Sequence, residues 1–389
     1  MGQDGLSKKT RLIRAGAKTP ARLQTVSPPL QRGSTVLMPD ARSLYDSHET
    51  YGRLGLSMQA ALAEAIAELE GAAGARLFPS GLSAITSVLL ALLKTGDEVL
   101  AADCVYGPTR AFCDGLLRRF GVSTRYFPGD AAADEIAAMI GPSTRMIVLE
   151  SPGSLTFEIQ DVPAIAAAAR ARGVLTMIDN TWGLGLLYDA LGHGVDVSVQ
   201  ALTKYVGGHS DVFMGSAATN DARILSELDR FLKQSGVCVS PDDAYFMLRG
   251  LRTLEARLER HGRNALAVAQ WLERQPQVRA VLCPALPGAP GHDLWRRDFC
   301  GLNGLFGVVL QPGAPGAAEA FIDALSLFGR GFSWGGYESL AIHCDPQLPQ
   351  RRSAPAFGGP LVRLHVGLED VADLIGDLDQ ALAAYAAHG

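Results

Sequence analysis

Two apolar runs in this sequence end in residues able to hold or move a proton. Val174 to Asp179 reads Val-Leu-Thr-Met-Ile-Asp, a buried strand closed by a carboxylate, and the run from Val195 closes at Lys204. Taken singly, each has an ordinary explanation: the aspartate caps a turn, and the lysine stands in solvent just past a strand. Three other features bear on the choice. Ser80-Gly81-Leu82 follows a short strand and opens a helix, so its backbone N–H groups form an anion site at the positive end of the helix dipole. Tyr51-Gly52-Arg53 places a phenol and a guanidinium where they clamp a phosphate or lie in a solvated loop. Tyr106, just beyond a strand ending near Asp103, offers a flat ring for stacking or for packing.

Together these parts make a more specific pattern than any one of them. An amine, a carboxylate, a phosphate cradle and a stacking ring are what holds pyridoxal 5'-phosphate. The lysine forms a Schiff base with it, the carboxylate keeps its pyridine nitrogen protonated, and the helix N-terminus binds its phosphate.

The elements that must position these groups follow from periodicity. Residues 1–55 lack a sustained period and are rich in turn formers such as Pro28-Pro29, which predicts an extended N-terminal arm. Leu62, Ile66 and Leu69 share one helical face after Ser57, with Gly71 as the stop. Strands are then expected at 76–78, 98–102, 122–127, 146–150, 174–178 and 195–202, separated by helices. That βα alternation predicts an α/β fold, a mostly parallel sheet covered by helices, with the ligand at the carboxyl ends of the strands. After about residue 250 a charged helix (252–275), a Pro/Gly-rich connection (284–291) and mixed strands and helices predict a smaller α+β unit. The expected division is an arm at 1–55, a cofactor-binding unit at 56–250 and a C-terminal unit at 251–389.

Composition narrows the class. The 389 residues are 48% hydrophobic and 19% charged, which argues against disorder and leads to the expectation that much of the surface is covered by something. The longest uncharged runs, 77–93 and 299–318, are broken by Pro, Gly and polar residues, so no membrane span is expected. A net charge of −5 without a basic stripe argues against nucleic acid as a partner and favours small molecules. The start of the chain carries Lys8, Lys9, Arg11 and Arg14 with no apolar core, and position 6 is Leu, so neither a secretory leader nor a myristoylation signal is expected. The six cysteines are scattered without metal-ligand spacing. They read as reduced thiols of a cytoplasmic protein with no metal site, Cys104 and Cys113 as buried, inert ones, and His209 reads as structural.

The stretches ESPGSLTFEIQDVP (150–163), MIDNTWGLG (177–185), SVQALTKYVGGHSD (198–211), FSWGGYESL (332–340) and RLHVGLED (363–370) resemble the cystathionine β-lyase branch of the Cys/Met-metabolism enzymes. These are pyridoxal-phosphate enzymes of the aspartate-aminotransferase fold, fold type I, and the likeness spans nearly the whole chain. It implies Lys204 as the Schiff-base lysine and proton carrier, Asp179 as the pyridinium partner and Tyr106 as the stacking ring that assists proton transfer. The backbone N–H groups of Gly81 and Leu82, with Thr203, would hold the phosphate, joined by Tyr51 and Arg53 from a neighbouring subunit. Arg363 would bind the substrate α-carboxylate, helped by Ser333 and Trp334, with Tyr51 also near the substrate. A homotetramer built from dimers, with active sites between subunits, is implied. So is β-elimination on L-cystathionine to homocysteine, pyruvate and ammonia in methionine biosynthesis.

The departures from the pattern carry information too. Ala201 stands where many relatives have a phosphate-binding Ser, Ser154 where γ-acting members have an Asn, and Pro108 where methionine γ-lyases have a Cys. The last two, with Trp334, favour the β-lyase branch. A broader cysteine-S-conjugate β-lyase or cysteine desulfhydrase shares the same chemistry and is the near alternative. Gly331-Phe-Ser333-Trp-Gly335 also matches the GxSxG of a serine hydrolase, with Asp345 and His365 following in the right order, although such an elbow needs a strand before it and a helix after it. A cofactor-binding protein without catalysis is the other remote alternative.

Overall fold

A computed structural model describes residues 6–15, 25–46 and 50–388; residues 1–5, 16–24 and 47–49 of the expected arm lie outside the described residues. The arm is not extended throughout: Lys8–Ile13 forms a helix capped by Ser7 that buries Leu12 in the core. The helix expected after Ser57 forms over Ser57–Glu70 and stops at Gly71. Seven strands then build one sheet: β1 (Gly74–Phe78), β2 (Glu98–Ala102), β3 (Ser123–Phe127), β4 (Thr144–Glu150), β5 (Leu175–Asp179), β6 (Val197–Gln200) and β7 (Gly215–Thr219), in the order β1-β7-β6-β5-β4-β2-β3. All pairs are parallel except those of β7, which runs antiparallel to both β1 and β6. The chain therefore brings the C-terminal ends of β1, β2, β4, β5 and β6 to one edge, where a ligand of such a sheet sits.

The sequence reading missed β7. Its residues, Gly-Ser-Ala-Ala-Thr, carry almost none of the β-branched or aromatic bulk by which strands are recognised. Packing explains the small residues: a Cβ on Gly215 would lie 2.3 Å from the Ser80 carbonyl oxygen, so β7 must be bare where the helix after β1 begins. That helix, Gly81–Leu92, is capped by Ser80, whose hydroxyl accepts the Ser83 N–H.

A second, five-stranded sheet follows: β8 (Val278–Leu282), β9 (Leu305–Leu310), β10 (Gly329–Arg330), β11 (Leu340–His343) and β12 (Leu361–His365), in the order β10-β11-β12-β9-β8 and mostly antiparallel. Its side chains sort by the two-residue period of a strand. Phe306, Val308, Leu310, Val362 and Leu364 bury themselves against helices Leu254–Leu272, Ala317–Ala324 and Val371–His388. Leu305, Val309 and Leu361 instead join the core that the first sheet shares. Arg363, two residues after Leu361, shares that inward face.

Polar ties hold the two sheets in register. The Trp182 indole donates to the Leu305 carbonyl (3.2 Å), and Asn303 donates to the Trp182 carbonyl (2.9 Å). A buried ionic cluster does the same on the other side. Asp103, just past β2, accepts from Arg110 and from Ser353, and Arg351 lies against both Asp103 and Glu158 (2.8 Å to Glu158). Among the described residues no helix is long and apolar enough to cross a membrane.

Candidate active site

One cavity of about 540 Å³ opens where the strand ends of the first sheet meet the inner face of the second. Gly81, Leu82, Tyr106, Asp179, Thr203, Lys204, Ser333, Trp334 and Arg363 all line it. They arrive on several different elements. Asp179 is the last residue of β5, Lys204 follows β6, Tyr106 follows β2, and Gly81 opens the helix after β1. Arg363 comes from β12, and Ser333 and Trp334 from the segment between β10 and β11.

The Lys204 ammonium donates to the Ser333 hydroxyl at 2.8 Å and stands 5.5 Å from the centre of the Trp334 ring. Burial, and then the nearby Arg363 guanidinium, pull this amine down from 10.5 to about 8, while Asp179 works the other way. A lysine so placed gives up its proton near pH 8, well below an ordinary lysine. Burial pushes the Asp179 carboxyl up, but its Oδ1 accepts both the Thr181 N–H (3.0 Å) and the Thr181 hydroxyl (2.5 Å), and Lys204 adds an opposing positive charge. Arg363 is positioned by the Ser333 carbonyl, to which it donates at 3.2 Å.

Gly81 fits its place because a Cβ there would lie 2.5 Å from the Ala201 Cβ. The N–H groups of Gly81 and Leu82 have no acceptor among the described residues, as the first N–H groups of a helix do. Thr203 is more committed: its hydroxyl donates to the Met214 carbonyl and accepts the Met214 N–H (3.1 and 3.0 Å). Tyr51 and Arg53 do not line the cavity of their own chain. They lie together at the surface, the guanidinium 5.9 Å from the ring centre and donating to the Lys233 carbonyl at 3.5 Å. Ser154 and Pro108 both stand on the cavity wall.

The hydrolase reading finds no support in this geometry. Ser333 is followed by bends and then β11, not by a helix, and its hydroxyl faces Lys204. His365 instead accepts the Gly335 N–H (3.0 Å), while Asp345 lies 3.2 Å from His343. Cys104 and Cys113 are buried and burial raises both thiols, Cys113 to about 12, so they stay protonated. His209 is held by the Gly207 carbonyl at 2.8 Å. Among the described residues no group of acidic, His and Cys side chains could hold a metal ion. Two charged cavity residues escaped the sequence reading, Glu150 and Arg351. Glu150 could have been found, since it closes β4 as Asp179 closes β5; Arg351 carries no local signal.

The chain matches the family described as Cys/Met metabolism PLP-dependent enzyme over residues 9–383. It belongs to that family. Its cofactor is accordingly pyridoxal 5'-phosphate, and the lining residues fit it: unpaired N–H groups for a phosphate, a buried carboxylate with Oδ2 left over, and an amine of lowered basicity. A cystathionine beta-lyase of Bordetella avium is 45% identical over 92% of each chain. The cystathionine beta-lyase of Escherichia coli K12 is 42% identical over 96% of this chain and 98% of its own. A crystal structure of cystathionine gamma synthase from Xanthomonas oryzae pv. oryzae, in complex with cystathionine, superposes with a TM-score of 0.93 at 31% identity, covering 99% and 100% of the two chains. The fold is thus that of fold type I.

Proposed function

We propose that this chain catalyses β-elimination on L-cystathionine, releasing homocysteine, pyruvate and ammonia. The reading rests on one observation above the others: a single cavity places the Lys204 amine between a carboxylate suited to the cofactor ring, Asp179, and a guanidinium suited to a substrate carboxylate, Arg363. The relatives named cystathionine beta-lyase support the choice of substrate.

When bound, the cofactor supplies the electron sink for the carbanion formed at the substrate Cα. The protein does the rest. Arg363 grips the α-carboxylate bidentately, with Ser333 and Trp334 closing that side. Asp179 holds the ring nitrogen protonated, Tyr106 covers the ring face, and Gly81, Leu82 and Thr203 take the phosphate. Lys204, neutral once its proton is lost near pH 8, removes the Cα proton and returns a proton to the departing sulfur. Homocysteine leaves as the thiol, and the remaining three-carbon enamine hydrolyses to pyruvate and ammonia.

Assembly belongs to the same proposal. Val26, Leu37 and Tyr45 in the arm are 94%, 91% and 89% exposed, a set of large apolar side chains that calls for cover. The start of the arm stays on its own chain, where Leu12 is buried and Arg11 donates to Glu68, and the part of the arm (1–55) that carries Tyr51 and Arg53 lies over the cofactor unit (56–250) of the neighbour, bringing both to that neighbour's phosphate. The C-terminal unit (251–389) supplies Arg363 within its own chain, and two such dimers form a tetramer.

The test is product analysis with L-cystathionine. Equimolar pyruvate and homocysteine are expected, and none of either from Lys204→Ala. Formation of 2-oxobutyrate and cysteine in their place overturns the β-elimination reading. Parallel kcat/KM values for cystine and S-substituted cysteines measure how far the thiol half is discriminated.

A further inference from the structure

Glu150 closes β4 beside Asp179, which closes β5, and the two are register partners in adjacent parallel strands. Their carboxyl groups therefore project from the same edge into the same cavity. Both are half-buried at the cavity wall, and the Asp179 charge works against ionisation of Glu150 beside it. Asp179 has the supports of an anion, two hydrogen bonds from Thr181 and the facing Lys204. Glu150 has a single neutral donor, the Tyr106 N–H, which meets its Oε2 at 2.6 Å. The other charged or titratable groups around it are Glu158, Arg351, Cys104 and the Tyr106 phenol, which the Glu150 charge would keep protonated. Arg351 is already bonded to Glu158, Thr156 and Asp103, Glu158 adds repulsion, and Cys104 is a buried neutral thiol.

We infer that Glu150 is a positioning residue: an uncharged acid that anchors the Tyr106 turn through its Oε2 and leaves Asp179 as the anion at that end of the cavity. Burial and the Asp179 charge both push its carboxyl well above the usual range. Since Oε2 is taken by Tyr106, Oε1, which has no partner among the described residues, carries the proton. A charged residue here would set a second anion against the cofactor ring, and an apolar one would free the Tyr106 turn. The inference rests on the cofactor site proposed above.

Glu150→Gln keeps the size, the acceptor for Tyr106 and a second donor, and is uncharged at every pH. With the holoenzyme, this variant is expected to retain the visible spectrum of the bound cofactor, its pH titration, and a cofactor Kd within about twofold of wild type. Glu150→Ala loses the anchor; its cofactor Kd rises about three- to tenfold, the worth of one hydrogen bond, and the induced circular dichroism of the visible band falls. A Gln variant as impaired as the Ala variant, or an Ala variant indistinguishable from wild type, overturns the inference. A measurement that does not depend on how well the Ala variant folds is infrared difference spectroscopy of wild-type holoenzyme. A protonated-carboxyl band at neutral pH, missing from Glu150→Gln, is expected, and its absence from wild type overturns the inference. Failure of the cofactor site itself reads out elsewhere, as undiminished borohydride fixation of the cofactor in Lys204→Ala.

Discussion

At the scale of single residues, the site is an arrangement of groups whose protonation is set by burial and by one another. Lys204 illustrates it. Its amine is depressed, so below pH 8 it is mainly protonated and above pH 8 mainly neutral. In cofactor-free protein its reaction with an acylating reagent should climb through pH 8, two units or more below an ordinary lysine near ~10.4, and loading with cofactor should block it. A midpoint near the ordinary value contradicts the environment described. Ala201 allows a gain of function: its Cβ lies against Gly81 at the phosphate cradle, so Ala201→Ser adds a hydroxyl where an anion is bound. Cofactor affinity should rise about three- to tenfold by equilibrium dialysis. Much at this scale was legible in the chain. Asp179 and Lys204 each end an apolar run, and that pattern survives in three dimensions. Glu150 closes a strand in the same manner, yet its significance lies in its lateral neighbour, and strand order is not written in a local run. Arg351 is further out of reach, because Asp103 and Glu158 lie 248 and 193 residues earlier in the chain.

At the scale of elements, periodicity located six strands of the first sheet and the helices between them, since the inner strands are buried on both faces and read as short apolar runs, while β3 at the edge is mostly exposed or half-buried. β7 is the exception for a physical reason. It is chosen for smallness where Gly215 lies under Ser80, and smallness leaves no periodic mark. Gly215→Val should therefore displace the start of helix Gly81–Leu92 and weaken cofactor binding while leaving the far edge of the sheet in place. Loss of cofactor affinity with little change in far-UV circular dichroism is the expected pair of results. The ionic cluster acts between elements. Removing Asp103 strands Arg110 and Arg351 in the interior, so Asp103→Ala should cost roughly 3–5 kcal/mol in denaturant unfolding of the protein. An effect near zero would show that water reaches the cluster.

At the scale of the whole molecule, the exposed apolar arm and the separation of Tyr51 and Arg53 from their own cavity point to an active unit of more than one chain. Subunit mixing tests this. Lys204→Ala and Arg53→Ala proteins, each impaired alone, should recover about one quarter of wild-type activity when denatured and refolded together at equal ratio, the statistical yield of sites with both halves intact in a dimer. No recovery means that each chain is self-sufficient. The placement of β7 also has a consequence for biosynthesis. β1 pairs with no strand but β7, so residues 74–78 must wait, while the ribosome extends the chain, for residues 215–219 to emerge before they can join the sheet. At roughly 5–20 residues per second that interval lasts several seconds or more. The helix bearing Gly81 hangs from β1, and so the phosphate cradle is among the last parts of the first sheet to close. A nascent chain halted short of β7 has its proton-handling residues and no completed grip on the phosphate.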